Sequence, residues 1–120
     1  MKTKKIATIV ALLLTCLSFS QNSFTVKDMA DYQNKIMIDE LSLTEEQTKK
    51  VSEVNIKYAT KLRALIDREG SMFSKRDDMK KISTAKNDEL SKILTEAQFK
   101  KYENDLVPKI RKHIRKNMKL

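Results

Sequence analysis

Apolar residues recur along this chain at three- and four-residue spacing, the mark of amphipathic helices. The first run covers about 27–40, with Met29, Ala30, Gln33, Ile36 and Met37 on one stripe and Leu41 after them. Leu41-Ser42-Leu43 breaks it. A second stripe carries Val51, Val54, Tyr58, Leu62 and Leu65, widened by Ile56, Ala59 and Ile66. Gly70 follows that run at the place where a C′ glycine belongs. A third helix starts near Ser71 or Ser74, with the sparse stripe Met72, Met79, Ile82, Leu90 and Ile93. Lys75, Arg76, Asp77, Asp78, Lys80 and Lys81 make its first half polar, and Asp77-Asp78 with Lys80-Lys81 read as a solvated face. The fourth helix carries Phe99, Tyr102, Leu106, Ile110 and Ile114. Pro108 lies inside it and predicts a kink or break near 105–107. Residues 22–27 form a polar lead expected to fray. The pattern predicts an all-α fold of about four helices.

Composition agrees. One Gly and one Pro are too few for an all-β domain, which needs turn residues at short intervals. A single Gly cannot build a Gly-rich phosphate loop. One Cys and one His do not make an ordinary zinc site or a Cys-His nucleophile pair.

The N-terminus has its own design. Lys2, Lys4 and Lys5 precede an apolar run over Ile6–Leu17, and Ser18 and Ser20 supply small residues before a cut. This is the design of a secretory signal peptide, residues 1–20, leaving one domain over 21–120. The run is too short to span a hydrocarbon core of ~30 Å. Lipidation at Cys16 is the less favoured alternative, because Thr15 suits it poorly and the apolar run would be cut short. Cleavage after Ser20 removes the only cysteine.

The strongest signal is a repeat. Leu43-Thr44-Glu45-Glu46-Gln47-Thr48-Lys49-Lys50 matches Leu94-Thr95-Glu96-Ala97-Gln98-Phe99-Lys100-Lys101 at six of eight positions, 51 residues apart. Internal self-similarity points to two copies of one supersecondary unit. Each copy is a capping box, in which the Thr oxygen takes the N3 amide and the Gln reaches back to the cap amide. Leu43 and Leu94 stand at N′, where a staple to N4 is possible, and only Phe99 is an apolar N4 partner.

With Leu43, Thr44, Gln47, Leu94, Thr95 and Gln98 in place, the chain resembles the Spy/CpxP-like periplasmic proteins, defined by paired LTxxQ motifs. The resemblance spans roughly 27–118. It implies an all-α, cradle-shaped homodimer in the periplasm of a Gram-negative bacterium. Spy-like members are ATP-independent chaperones that hold unfolded clients on a concave face. CpxP-like members dampen an envelope-stress sensor kinase. A third branch, resembling ZraP and CnrX, binds metal through His-rich or Met/His clusters. This chain is short for the family, has a brief lead, and carries Pro108 inside its last helix. His113 is its one histidine, so no metal or other cofactor is expected.

Other residues give less. His113 reads as a surface residue, and no Ser/His/Asp set can be assembled around it, so an enzyme is not expected. Met29, Met37, Met72, Met79 and Met118 fit core filling, with an adaptable client surface as the other reading. The C-terminal segment 109–120 holds Lys109, Arg111, Lys112, Arg115, Lys116 and Lys119 and no acid. Ile110, Ile114 and Met118 recur through it, which makes a basic amphipathic helix. It suits contact with acidic clients or an anionic membrane surface, or a plain solvated end.

Charge then falls into place. The formal +9 is three lysines of the leader and six cations of the last twelve residues. From Gln21 to Pro108, 16 basic residues meet 16 acidic ones. A nucleic-acid partner is therefore not expected. The expected role is an exported holdase binding unfolded clients, with a regulatory module docking on a sensor-kinase periplasmic domain as the alternative.

Overall fold

The computed structural model describes residues 24–118. Residues 1–20, expected to be a leader and including Cys16, and Lys119 at the other end lie outside the described residues. The chain is all-α, with no strand among the described residues. It forms α1 (Val26–Leu41), α2 (Glu45–Asp67), α3 (Arg76–Ile93), α4 (Glu96–Lys101) and α5 (Val107–Met118). A 3₁₀ turn, Phe73–Lys75, leads into α3, and a π turn, Tyr102–Leu106, joins α4 to α5 in one rod.

Three helices begin on capping boxes. Thr44 and Thr95 cap α2 and α4 as expected. The third box was not expected. Thr25 Oγ1 accepts from the Asp28 amide at 3.1 Å, and Asp28 Oδ2 accepts from the Thr25 amide at 2.9 Å. The described part of the lead is thus tied down at Thr25 where fraying was predicted, and residues 22 and 23 lie outside the described residues. Its N3 residue is Asp, a shorter relative of the usual Glu or Gln.

The far ends depart more from expectation. Ser42 closes α1 in the left-handed region, at φ 51°. Helix α2 stops at Asp67 with an extended cap at Arg68, so Gly70 is not its C′ residue. Gly70 does need its freedom: its φ is +112°, and a Cβ there would meet Ser74 Oγ at 3.0 Å. The carbonyls at the end of α2 are served by Lys75, one of the charged residues that make this stretch polar in sequence. Lys75 is buried, and its ammonium donates to the Ile66 carbonyl at 2.8 Å and to the Arg68 carbonyl. A cation suits the negative end of a helix. Lys75→Met keeps the stem and leaves those oxygens unserved. It should cost about 1–3 kcal/mol in a urea melt, with Lys75→Arg nearer to wild type.

Pro108 does not break the last rod. The turn before it widens: the Val107 amide bonds the Tyr102 carbonyl, five residues back. The π turn takes up the register slip that a proline inside a helix imposes, and α5 continues on its far side.

Helix α1 packs on α2, α2 packs on α3, and the π turn and α5 lie on α1. The main core joins Met37, Leu41, Val51, Val54 and Tyr58 to Leu90, Leu94, Tyr102, Leu106 and Ile110. A smaller cluster of Met29, Ala30 and Ala59 gathers Phe24, Leu62, Ile114 and Met118. Most expected stripe residues of α1 and α2 face inward. Ile56 does not; it is 43% exposed. In its place Asn55 is buried, with Nδ2 donating to Asn34 Oδ1 at 2.8 Å. Of all residues on α3, only Leu90 is fully buried. The first half of that helix is held more loosely, touching the core through the partly buried Ile82.

Candidate functional site

The two LTxxQ segments meet in space. Gln47 Nε2 donates to Gln98 Oε1 at 2.8 Å, and Gln98 Nε2 donates back to Gln47 Oε1 at 3.2 Å. Each amide also completes its local box. Gln47 Oε1 accepts the Thr44 amide at 3.1 Å, and Gln98 Oε1 accepts the Thr95 amide at 2.9 Å. The remaining donors cross over. Gln47 Nε2 reaches the Ile93 carbonyl at 3.2 Å, at the end of α3. Gln98 Nε2 reaches the Leu41 carbonyl at 3.1 Å, at the end of α1. Each glutamine thus uses two donor and two acceptor positions, the full capacity of an amide. One side chain starts its own helix, ends a helix of the other unit, and grips its twin.

The sequence exposed the local half of this arrangement and not the long-range half. The identical spacing hinted at symmetry, but residues 51 apart have no local reason to touch. Leu94 is buried, and Phe99 packs on the same core. Leu43 lacks an apolar N4 residue and still packs on the main core.

A groove opens on one face, between α3 and α5. Its volume is about 1380 Å³. Met79 and Ile82 of α3 form one side, Ile110 and Ile114 of α5 the other, and Tyr58 and Leu62 of α2 line it between them. Met72 also lines it, beside Phe73, which is 81% exposed. The methionines therefore divide. Met29 and Met37 fill the core, while Met72 and Met79 face the groove.

Charge in the groove is one-sided. Arg76, Lys80, Lys86 and Arg111 line it against one acid, Asp77. Lys86 donates to Gln33 Oε1, and Gln33 is itself buried at 3% exposure. Burial pulls the Lys86 amine down to about 8, because the charged form loses its water. Burial also pushes the Tyr102 hydroxyl up to about 12. At the edge, Glu89 accepts from Tyr58 and pairs with Lys57 at 2.8 Å. The bonds from Lys57 and Tyr58 hold the Glu89 carboxyl below its usual range, and the same bond to Glu89 raises Tyr58.

The basic C-terminal residues separate from one another. Arg111 turns to the groove, and Lys109, Lys112, Arg115 and Lys116 are exposed. The apolar edge of α5 faces inward: Ile110 is in the core, Ile114 and Met118 pack on Met29, Ala30 and Ala59, and Ile110 and Ile114 also border the groove. A membrane or client meeting this helix from outside finds charge rather than an apolar face. His113 is more than a surface residue. It stacks on Tyr32 with ring centroids 3.7 Å apart and meets Phe24 edge-on at 5.5 Å. That cluster seats α5 against the start of α1.

Among the described residues no helix is long and apolar enough to cross a membrane, and no three His, Cys, Asp or Glu gather as metal ligands. The fold and groove define a small all-α protein of two clasped helical units with an open, basic, apolar face. The chain belongs to the family described as Domain of unknown function (DUF4890), whose profile matches residues 19–102. The match contains all three capping boxes and ends before α5. No curated protein and no solved structure matches the chain.

Proposed function

We propose that this chain is an ATP-independent holdase of Spy type, exported to the periplasm, which keeps unfolded proteins from aggregating. The groove carries the reading. It leaves Met72, Met79, Ile82 and Phe73 in reach of solvent in a protein whose core is otherwise closed. Flexible thioethers adapt to many apolar side chains, the property a promiscuous binder needs. The excess of cations raises the encounter rate with acidic chains. An open groove lets client side chains dip in while their backbone stays in water. The paired LTxxQ boxes and the leader design support placement beside the Spy/CpxP-like proteins. A homodimer extends the reading, since two such faces side by side make a wider cradle.

Light scattering of an aggregating client, without ATP, tests it. Stoichiometric amounts should suppress the signal, and Ile82→Glu should lose most of that effect while its circular dichroism stays helical. Unchanged aggregation across several clients overturns the proposal. An envelope-stress reporter that responds to deletion while scattering does not would favour the CpxP-like alternative, a module that dampens a sensor kinase.

A further inference from the structure

We propose that the groove between α3 and α5 binds a single-chain amphiphile with an anionic head, the head at Lys86 and the chain along Leu62, Met79, Ile82, Ile110 and Ile114. This goes beyond the holdase reading and does not depend on it.

The walls are the first reason. Apart from Met72 and Phe73, which lie on the turn before α3, the lining is helix or π turn, so most of its backbone amides and carbonyls are already spent within those elements. Only scattered side chains such as Ser83, Thr84 and Asn87 are left to pair with the backbone of an extended peptide lying fully inside, too few for its successive amides and carbonyls. A peptide seated that deeply would bury unpartnered polar groups, which costs several kcal/mol. An acyl chain has no such groups. It asks only for apolar contact, and the thioether of Met79 and the branched side chains across from it offer that.

The head site is the second reason. Lys86 lies in the lining with one neutral oxygen, Gln33 Oε1, on its ammonium. No carboxylate pairs with it among the described residues. A partly desolvated cation beside apolar surface is completed by an anion that carries its own apolar tail. Arg76, Lys80 and Arg111 favour the same sign, and Asp77 alone opposes it.

Binding then takes up a proton. The free amine titrates at about 8, and an anion against it favours the charged form. Affinity should therefore fall as pH rises through 8. The groups around it do not share that behaviour. Arg76 and Arg111 stay charged. Tyr58 is raised by its bond to Glu89, and Tyr102 by burial, so both stay protonated. Asp77 and Lys80 sit on the same helix as Lys86, and their effects persist in a Lys86 variant.

The experiment is calorimetric titration of the purified chain with dodecanoate below its micelle threshold, in two buffers of different ionisation heat near pH 8.5. Acetate and dodecyltrimethylammonium serve as head-only and opposite-head arms. Dodecanoate should bind with net proton uptake and at least about 10-fold more tightly than either control. Lys86→Met should lose about 10-fold in affinity and all of the uptake. Lys86→Arg should keep the affinity, lose the uptake and flatten the pH profile, which also decides the matter if Lys86→Met folds poorly. Equal binding of the cationic amphiphile overturns the proposal, as does a folded Lys86→Met with unchanged affinity. Suppression of client aggregation is read separately, so either proposal can fall while the other stands.

Discussion

Gln47→Glu should destabilise the protein by about 2–3 kcal/mol although it preserves the capping box. Glutamate serves that box as well as glutamine does, because its oxygen also accepts the cap amide. What it lacks is the donor. Two carbonyl-type oxygens, Gln98 Oε1 and the Ile93 carbonyl, would lose their hydrogen and face a charge instead. An acceptor left unserved, as the Ile93 carbonyl would be, costs about 1–3 kcal/mol at a partly buried site, and Gln98 Oε1, which keeps the Thr95 amide, adds its repulsion from the new carboxylate. For a domain of this size that lowers Tm by about 4–8 °C per kcal/mol. Gln98→Glu should behave alike, since its donors serve Gln47 Oε1 and the Leu41 carbonyl. A double-mutant cycle over Gln47 and Gln98 should return a coupling above about 0.5 kcal/mol. Thr44→Ala gives the scale of the local device alone, about 1 kcal/mol. Acid supplies an internal check. Protonating the carboxylate introduced by Gln47→Glu restores a donor, so part of the loss should return as pH falls through the carboxylate range. If Gln47→Glu costs no more than Thr44→Ala, the motif is only a helix start and the clasp contributes nothing.

This clasp shows where sequence reasoning stops. A capping box is local chemistry, readable from four residues in a row, and Thr44 and Thr95 cap where their spacing says. Helix faces are equally legible, because a 3.6-residue period fixes which residues share a stripe. Docking is not local. Nothing near Gln47 says that its spare hydrogens go to Ile93 and Gln98. Lys75 and Asn55 make the same point: each is buried among partners supplied by another segment. Pro108 warned of irregularity correctly but could not choose between a break and a widened turn. His113 looked solitary because Phe24 and Tyr32 lie far from it in sequence.

The groove was half visible in the same way. The stripe of α3 was sparse, and its polar first half suggested weak packing. Only the fold shows that this weakness opens opposite α5. Met72 and Met79 are consequently groove residues, while Met29 and Met37, no different in composition, are core. The six cations of the C-terminal segment likewise read as one feature in sequence. In space Arg111 belongs to the groove and Lys109, Lys112, Arg115 and Lys116 to the outer surface.

Leu90→Ala should cost about 2–5 kcal/mol and release α3 before the rest of the protein unfolds. Leu90 is the one residue of α3 that is wholly buried, at 0% exposure. Ile82 and Ile93 also pack on the core, but only partly buried, and the polar ties of that helix lie near the surface: Glu89 to Lys57 and Tyr58, and Asp78 to Arg68 at 2.8 Å. Solvated ion pairs give little, typically under about 1 kcal/mol. One apolar anchor therefore dominates, and its loss concentrates on one element. Native-state hydrogen exchange reads this directly, since local opening has its own free energy. Amides of Arg76–Ile93 should lose protection together while those of α1 and α2 keep most of theirs. Leu106→Ala, at an equally buried site on the π turn against α1, should instead lower protection throughout. Acid should act in the direction of Leu90→Ala. Glu89 and Asp78 both have folded carboxyls held below their usual range by their cationic partners. Their contribution is complete above the ordinary carboxylate value and disappears as pH falls through the folded one. Because α3 is one side of the groove, a protein loosened in this way should bind neutral groove ligands less well near pH 3 than at pH 6. Uniform loss of protection in Leu90→Ala would mean that α3 is integral to the core, and that the groove is a fixed surface rather than one bounded by its most weakly held helix.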